Sequence, residues 1–139
     1  MLSNPGRVKH FIGCGTYARG RLASGNAQEE FEALLTLSRD GWGRNNPAYR
    51  QMFTSRFMPG ATIGQMGWFN DLQRISSSPE NATNVMEVTA QIDVLDLLSG
   101  IDVPTPILHA RDDAQVPFER DREFASLVPD ACFVPFDGE

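Results

Sequence analysis

Residues 104–119 read PTPILHARDDAQVPFE, and this stretch decides the fold class. Pro104 and Pro106 pin an extended entry, because a proline fixes its own φ and pushes the residue before it out of the helical region. The apolar residues that follow, up to His109, therefore read as a strand near 104–109. A polar loop, Ala110 to Pro117, ends it. Beyond the loop a helix opens near Phe118, carries Phe124, Ala125, Leu127 and Val128 on its apolar side, and stops at Pro129-Asp130. Ala131 to Phe136 is one more short strand. Strand, helix and strand in that order make a βαβ unit, which implies parallel pairing and a right-handed crossover.

Upstream, the pattern is helical from Asn26 to about Leu98. Asn26 and Glu29 stand at capping-box spacing before Phe31, Leu34, Leu35 and Trp42, which recur on one face of a 3.6-residue period. Asn46-Pro47 opens a second helix bearing Met52, Phe53 and Phe57, and Pro59-Gly60 closes it. Thr62 and Gln65 repeat the capping-box spacing ahead of Met66, Phe69, Leu72 and Ile75. Ser78 followed by Pro79 starts a fourth helix that turns Val85, Met86 and Thr89 toward a core. Asp93 to Leu98 is a short amphipathic turn. At the other end of the block, Val8 to Cys14 (VKHFIGC) is an apolar run between Pro5-Gly6 and the glycines 13 and 15, as expected for a strand ending in a tight turn. The expected architecture is α/β, with three parallel strands near 8–14, 104–109 and 131–136 and four helices inserted between the first two. Residues 1–25 form the strand and loop, 26–98 the helical insertion and 99–139 the strand, helix and strand.

Composition narrows the function classes. The 139 residues, 41% hydrophobic and 22% charged, suit one globular domain, large enough to bury roughly two thirds of its unfolded surface without metal or disulfide staples. Eighteen acidic against twelve basic residues give a net charge of −6, and no stretch gathers the basic cluster that a phosphate backbone requires, so nucleic acid is not an expected partner. No apolar run approaches 18 residues, and MLSNPGRVKH has no hydrophobic region behind its charges; neither a membrane span nor a secretory signal is expected, which leaves the cytoplasm. Cys14 and Cys132 stand alone, without CxxC or histidine spacing, and read as structural or incidental thiols. No cofactor and no metal are expected. A nucleotide-binding enzyme is a distant reading, since no glycine-rich fingerprint follows a strand.

The run Pro104 to Glu119 resembles the segment of α/β-hydrolases that delivers the acidic member of a Ser-His-Asp triad. In that family a P-x-L strand is followed by a small residue, two variable positions, Asp, two more positions and Val-Pro; Ala110 to Pro117 matches. The opening NPGRVKHFIGCGTYARG resembles the strand that precedes the helical cap of the same fold. TLSRDGWGRNNPAYRQMFTSRFMPGAT resembles cap segments of bacterial hydrolase domains, some of them joined to transcriptional regulators or nucleotide cyclases. The resemblance covers essentially the whole chain and implies a partial α/β-hydrolase fold, its C-terminal portion. The G-x-S-x-G that would place a serine on a strained elbow is absent from the sequence, as is the HGGG oxyanion motif. The family continues its last strand with Gly-x-x-His, and by that register the histidine would fall about two residues past Glu139. The chain thus reads as a hydrolase domain truncated at both ends.

What the resemblance implies can be assigned residue by residue. The acid is Asp113, with Asp112 as the alternative if the register slips by one. An Asp-Asp pair at a strand end is also a turn former by its own chemistry, because aspartate bonds its neighbouring backbone. Serines 76, 77 and 78 stand in a helix-capping context and are not nucleophiles. His10 and His109 lie in strand runs and do not carry over to the triad. In a complete enzyme, aromatic residues of the cap, with Phe53 and Trp68 among them, would line an apolar pocket; at helical spacing they also read as the cap's own core. Tyr17 follows the C-terminal end of the first strand, the edge at which open α/β sheets bind ligands. The expected activity is cleavage of an ester, amide or related bond in a small apolar substrate by the intact protein, with the chain inert by itself. The competing expectation is a noncatalytic ligand-binding or sensor domain that keeps the cap pocket. A missing half-sheet would leave the first strand's edge without a neighbour, an invitation to homodimerisation.

Overall fold

The computed structural model describes residues 6–25 and 28–138. In chain order the elements are β1 (Gly13–Cys14), α1 (Gln28–Gly41), α2 (Ala48–Phe57), α3 (Ile63–Ser76), α4 (Pro79–Ala90), the single turn α5 (Leu95–Leu98), β2 (Thr105–Ala110), α6 (Phe118–Leu127) and β3 (Ala131–Phe136). They form two compact units: the residues up to Arg19 together with those from Asp93 onward, and Gly20–Ile92. Among the described residues no helix is long and apolar enough to cross a membrane.

The first unit is a three-stranded parallel sheet in the order β1-β2-β3. Ile107 of β2 faces Gly13 on one side and Phe133 on the other. The alternation of the strands sorts their side chains. Ile107 and Phe133 pack with Phe124 of α6, with Val128 just after it and with Leu98 and Ile101, the core of this unit. The opposite face carries Ile12, Cys14, Cys132, Val134 and Phe136, all exposed. Parallel sheets are ordinarily covered on both sides, so this is an open apolar face.

Strand β1 is shorter than the run Val8 to Cys14 suggests. The carbonyls of Pro104 and Leu108 accept from Phe11 N and Gly15 N at 3.1 and 3.3 Å; by alternation Pro106, midway between them, also faces β1. It has no N–H to give, so the ladder is interrupted below Gly13, and residues 6–10 are exposed.

In the second unit the caps form where the sequence puts them. Thr62 and Gln65 close a reciprocal capping box at the start of α3, and Ser78 accepts from Asn81 N with Pro79 in the first turn of α4. Asn46 Oδ1 accepts from Ala48 N at the head of α2. Asn26, expected to cap α1, lies outside the described residues, as does Pro5 ahead of the first strand.

The buried faces are another matter. Helix α1 buries Phe31, Leu34 and Leu35 as its period predicts. By contrast, α2 buries Arg50 and Thr54, α3 buries Asn70 and Gln73, and α4 buries Ala82, Thr83 and Ala90. Phe57, Leu72, Ile75 and Val85, expected on the inward stripe, are exposed. The physical reason is a polar seam whose members bond one another, with Gln73 Oε1 alone of the seam left without a partner among the described residues. Thr54 donates to Asn70 Oδ1 at 2.6 Å, Gln73 Nε2 donates to Thr54 Oγ1 at 2.8 Å, and Asn70 Nδ2 donates to Gln51 Oε1 at 2.8 Å. With these partners supplied, burial of the amides is tolerated and the apolar stripe is turned outward.

Candidate functional site

The site lies at the C-terminal end of β2, where Ala110 hands over to the loop that leads into α6. Loop geometry follows from one carboxylate. Asp113 N donates to the carbonyl of Ala110 at 3.1 Å, and Asp113 Oδ1 accepts from Gln115 N at 2.7 Å and Val116 N at 2.8 Å. This is the turn an aspartate makes with its own backbone. The second oxygen, Oδ2, enters no hydrogen bond within the described residues. It faces the backbone of Gly15, where an added Cβ would stand 3.4 Å away. Gly15 has φ +57°, a conformation glycine adopts without steric cost. One oxygen of Asp113 thus fixes the loop, and the other is presented at the strand ends, half-buried, as an acceptor.

Asp112 differs in each respect. Its backbone N–H donates to Gly138 O at 3.1 Å, and it is exposed. The neighbouring Arg111 bonds Phe136 O through its backbone and pairs with Asp137 at 3.3 Å, so the start of the loop is moored to the end of β3.

Directly beneath the loop is a second polar cluster. His109 and Asp121 are both fully buried, with His109 Nδ1 2.6 Å from Asp121 Oδ2. Thr16 donates its hydroxyl to Asp121 Oδ1. Both carboxylate oxygens are therefore occupied, as a buried carboxylate requires. Phe118 stands edge-on to the imidazole at 5.3 Å between ring centroids, and His109 Nε2 has no partner among the described residues. Reading His109 as a strand histidine missed this pairing. The signal was present in Asp121, an acid three residues from both Phe118 and Phe124 and hence on the apolar side of α6.

The other residues singled out from the sequence are distributed between the units. Tyr17 is half-buried in the loop after β1, in the same unit as Asp113. Phe53 and Trp68 belong to the helical unit. Phe53 turns inward, edge-on to Trp42 at 5.5 Å, whereas Trp68 is 62% exposed and tilts against Phe69. His10 is exposed. Among the described residues, no cluster of three histidine, cysteine or acidic side chains could hold a metal ion. An open groove of about 500 Å³ in the first unit lies at the opposite end of the sheet, lined by Ser99 to Pro104 with Pro129 and Asp130, and does not include Asp113.

No protein-family model and no curated protein sequence matches the chain. Solved structures do. An esterase from Exiguobacterium antarcticum is similar over 98% of this chain and 52% of its own, with a TM-score of 0.78 and 20% identity. A hydrolase from Oleispira antarctica is similar over 96% and 49%, with a TM-score of 0.77 and 16% identity. An enol-lactonase from Burkholderia xenovorans LB400 is similar over 94% and 48%, with a TM-score of 0.72 and 17% identity. The chain has a partial α/β-hydrolase fold and spans about half the length of these structures.

Proposed function

We propose that this chain is the acid-bearing and cap-bearing part of a serine α/β-hydrolase, in which Asp113 is the acidic member of the triad. The observation that carries the reading is the division of labour within Asp113. Its Oδ1 is consumed in holding the loop, while Oδ2 is left as an acceptor at the C-terminal ends of parallel strands, where open α/β sheets bind ligands. A triad acid accepts the Nδ1–H of a histidine, fixes its tautomer and stabilises the imidazolium, and it breaks no bond itself. The serine and the histidine come from the remainder of the domain. So does the cover for the open face of the sheet; in its absence two copies pair through that face and the edge of β1.

In the complete domain the substrate is an ester, amide or related bond in a small apolar molecule. Tyr17 flanks the site at the end of β1, and Phe53 and Trp68 belong to the cap that selects the apolar part. Translating the genomic DNA on either side of this sequence tests the assignment. A G-x-S-x-G upstream and a histidine within a few codons downstream are expected; unrelated sequence on both sides would favour a noncatalytic ligand-binding or sensor domain instead.

A further inference from the structure

The loop that presents Asp113 is short and leaves the sheet at one fixed point. His109 is the penultimate residue of β2, which leads into the loop, and Asp121 lies in the first turn of the helix just after it, so the buried contact between them, at 2.6 Å, staples its two ends together. Thr16 extends the staple to the loop after β1 through its hydrogen bond to Asp121 Oδ1. The residue before Thr16 is Gly15, the backbone against which Asp113 Oδ2 rests. The three side chains therefore fix both the carboxylate-bearing loop and the surface that faces its free oxygen. A fully buried histidine whose Nε2 has no partner among the described residues is costly to keep for packing alone. We infer that His109, Asp121 and Thr16 are positioning residues for Asp113, an inference that rests on the reading of Asp113 as the triad acid.

Amide hydrogen exchange resolved by NMR on the 139-residue chain tests this, because Gln115 N–H and Val116 N–H report directly on the hold of Asp113 Oδ1. Replacing His109 by leucine is expected to speed exchange at these two amides about tenfold or more relative to the β2–β3 ladder. His109→Asn, whose side-chain amide N–H lies near the place of Nδ1, is expected to restore most of the protection. Acceleration of ladder and loop together, or no change in the loop, would overturn the proposal, since a merely structural histidine weakens the whole unit. Should the leucine variant not fold, Thr16→Val, at a half-buried position, decides in the same way with a smaller effect. The unaltered chain supplies an independent check: its ¹⁵N imidazole spectrum must show a proton on His109 Nδ1, the nitrogen that faces Asp121, and an Nδ1 without its proton would sink the idea. None of these readouts involves turnover, so loss of the triad reading through an active Asp113→Asn domain would leave the exchange result distinguishable.

Discussion

In a complete domain containing this chain, Asp113→Asn is expected to lower kcat toward p-nitrophenyl esters by up to about four orders of magnitude, with KM little changed. The expectation follows from the two oxygens of Asp113. Asparagine keeps one acceptor, which continues to hold Gln115 N–H and Val116 N–H; the loop survives. At the place of Oδ2 the variant puts an NH₂ group, which cannot accept from a histidine Nδ1–H and favours the wrong tautomer. Asp112→Asn provides the contrast. Asp112 is exposed and, among the described residues, bonds through its backbone alone, so kcat should stay within about twofold, as for surface substitutions away from the site. Saturation kinetics on the two variants decide the register: a collapse in Asp112→Asn with an active Asp113→Asn would transfer the role.

The second large effect is on stability. Arg50 is 1% exposed and has no carboxylate partner within salt-bridge distance among the described residues. Its guanidinium instead donates to backbone carbonyls: Nε to Asn70 O at 2.9 Å, and Nη1 to Trp42 O and Arg44 O, each at 2.6 Å. Trp42 and Arg44 follow the end of α1, where carbonyls lack helical donors and the helix dipole is negative. Burial lowers the guanidinium pKa, Arg74 adds to the effect and Asp71 opposes it, yet an arginine remains charged. The side chain thus ties α1, α2 and α3 together. Arg50→Leu is expected to cost about 4 kcal/mol, because three buried or part-buried hydrogen bonds from a charged donor to backbone carbonyls are lost. Arg50→Lys should cost about half as much, since a single ammonium cannot reach both groups of carbonyls at once. Urea denaturation followed by the fluorescence of Trp42 and Trp68, both in the helical unit, measures both. Equal stability of the leucine variant and the parent would contradict this account of the helical unit.

The strand β3 and the caps of α3 and α4 were legible because each rests on local chemistry: an apolar run closed by Pro129-Asp130, a threonine three residues before a glutamine, a serine before a proline. The shortening of β1 was legible only in retrospect, since it depends on Pro106, which lies far along the chain and matters only once the two strands are adjacent. Polar burial was hidden for a different reason. Hydrophobic periodicity assigns the apolar stripe to the interior, and Arg50, Thr54, Asn70 and Gln73 can replace it only because each finds a partner on a neighbouring helix or turn, a relation that no single helix encodes. The turn at Asp113 was legible in an Asp-Asp pair at a strand end, although nothing in that pair distinguishes the oxygen that braces the loop from the one left to accept. His109 and Asp121, twelve positions apart, showed only half of their relation, in the acid on the apolar side of α6.

On the proposed reading this chain supplies the acid and the cap and none of the bond-breaking groups. Ester turnover by the purified 139-residue chain tests it most directly, with p-nitrophenyl acetate as substrate over a range wide enough to reveal saturation. On the proposed reading the serine, the histidine and the oxyanion donors come from elsewhere in the domain, so the rate is expected to rise linearly with substrate at the background of an unrelated protein surface and to be the same in Asp113→Asn. Turnover that saturates and disappears in Asp113→Asn would mean that the chain is a working enzyme.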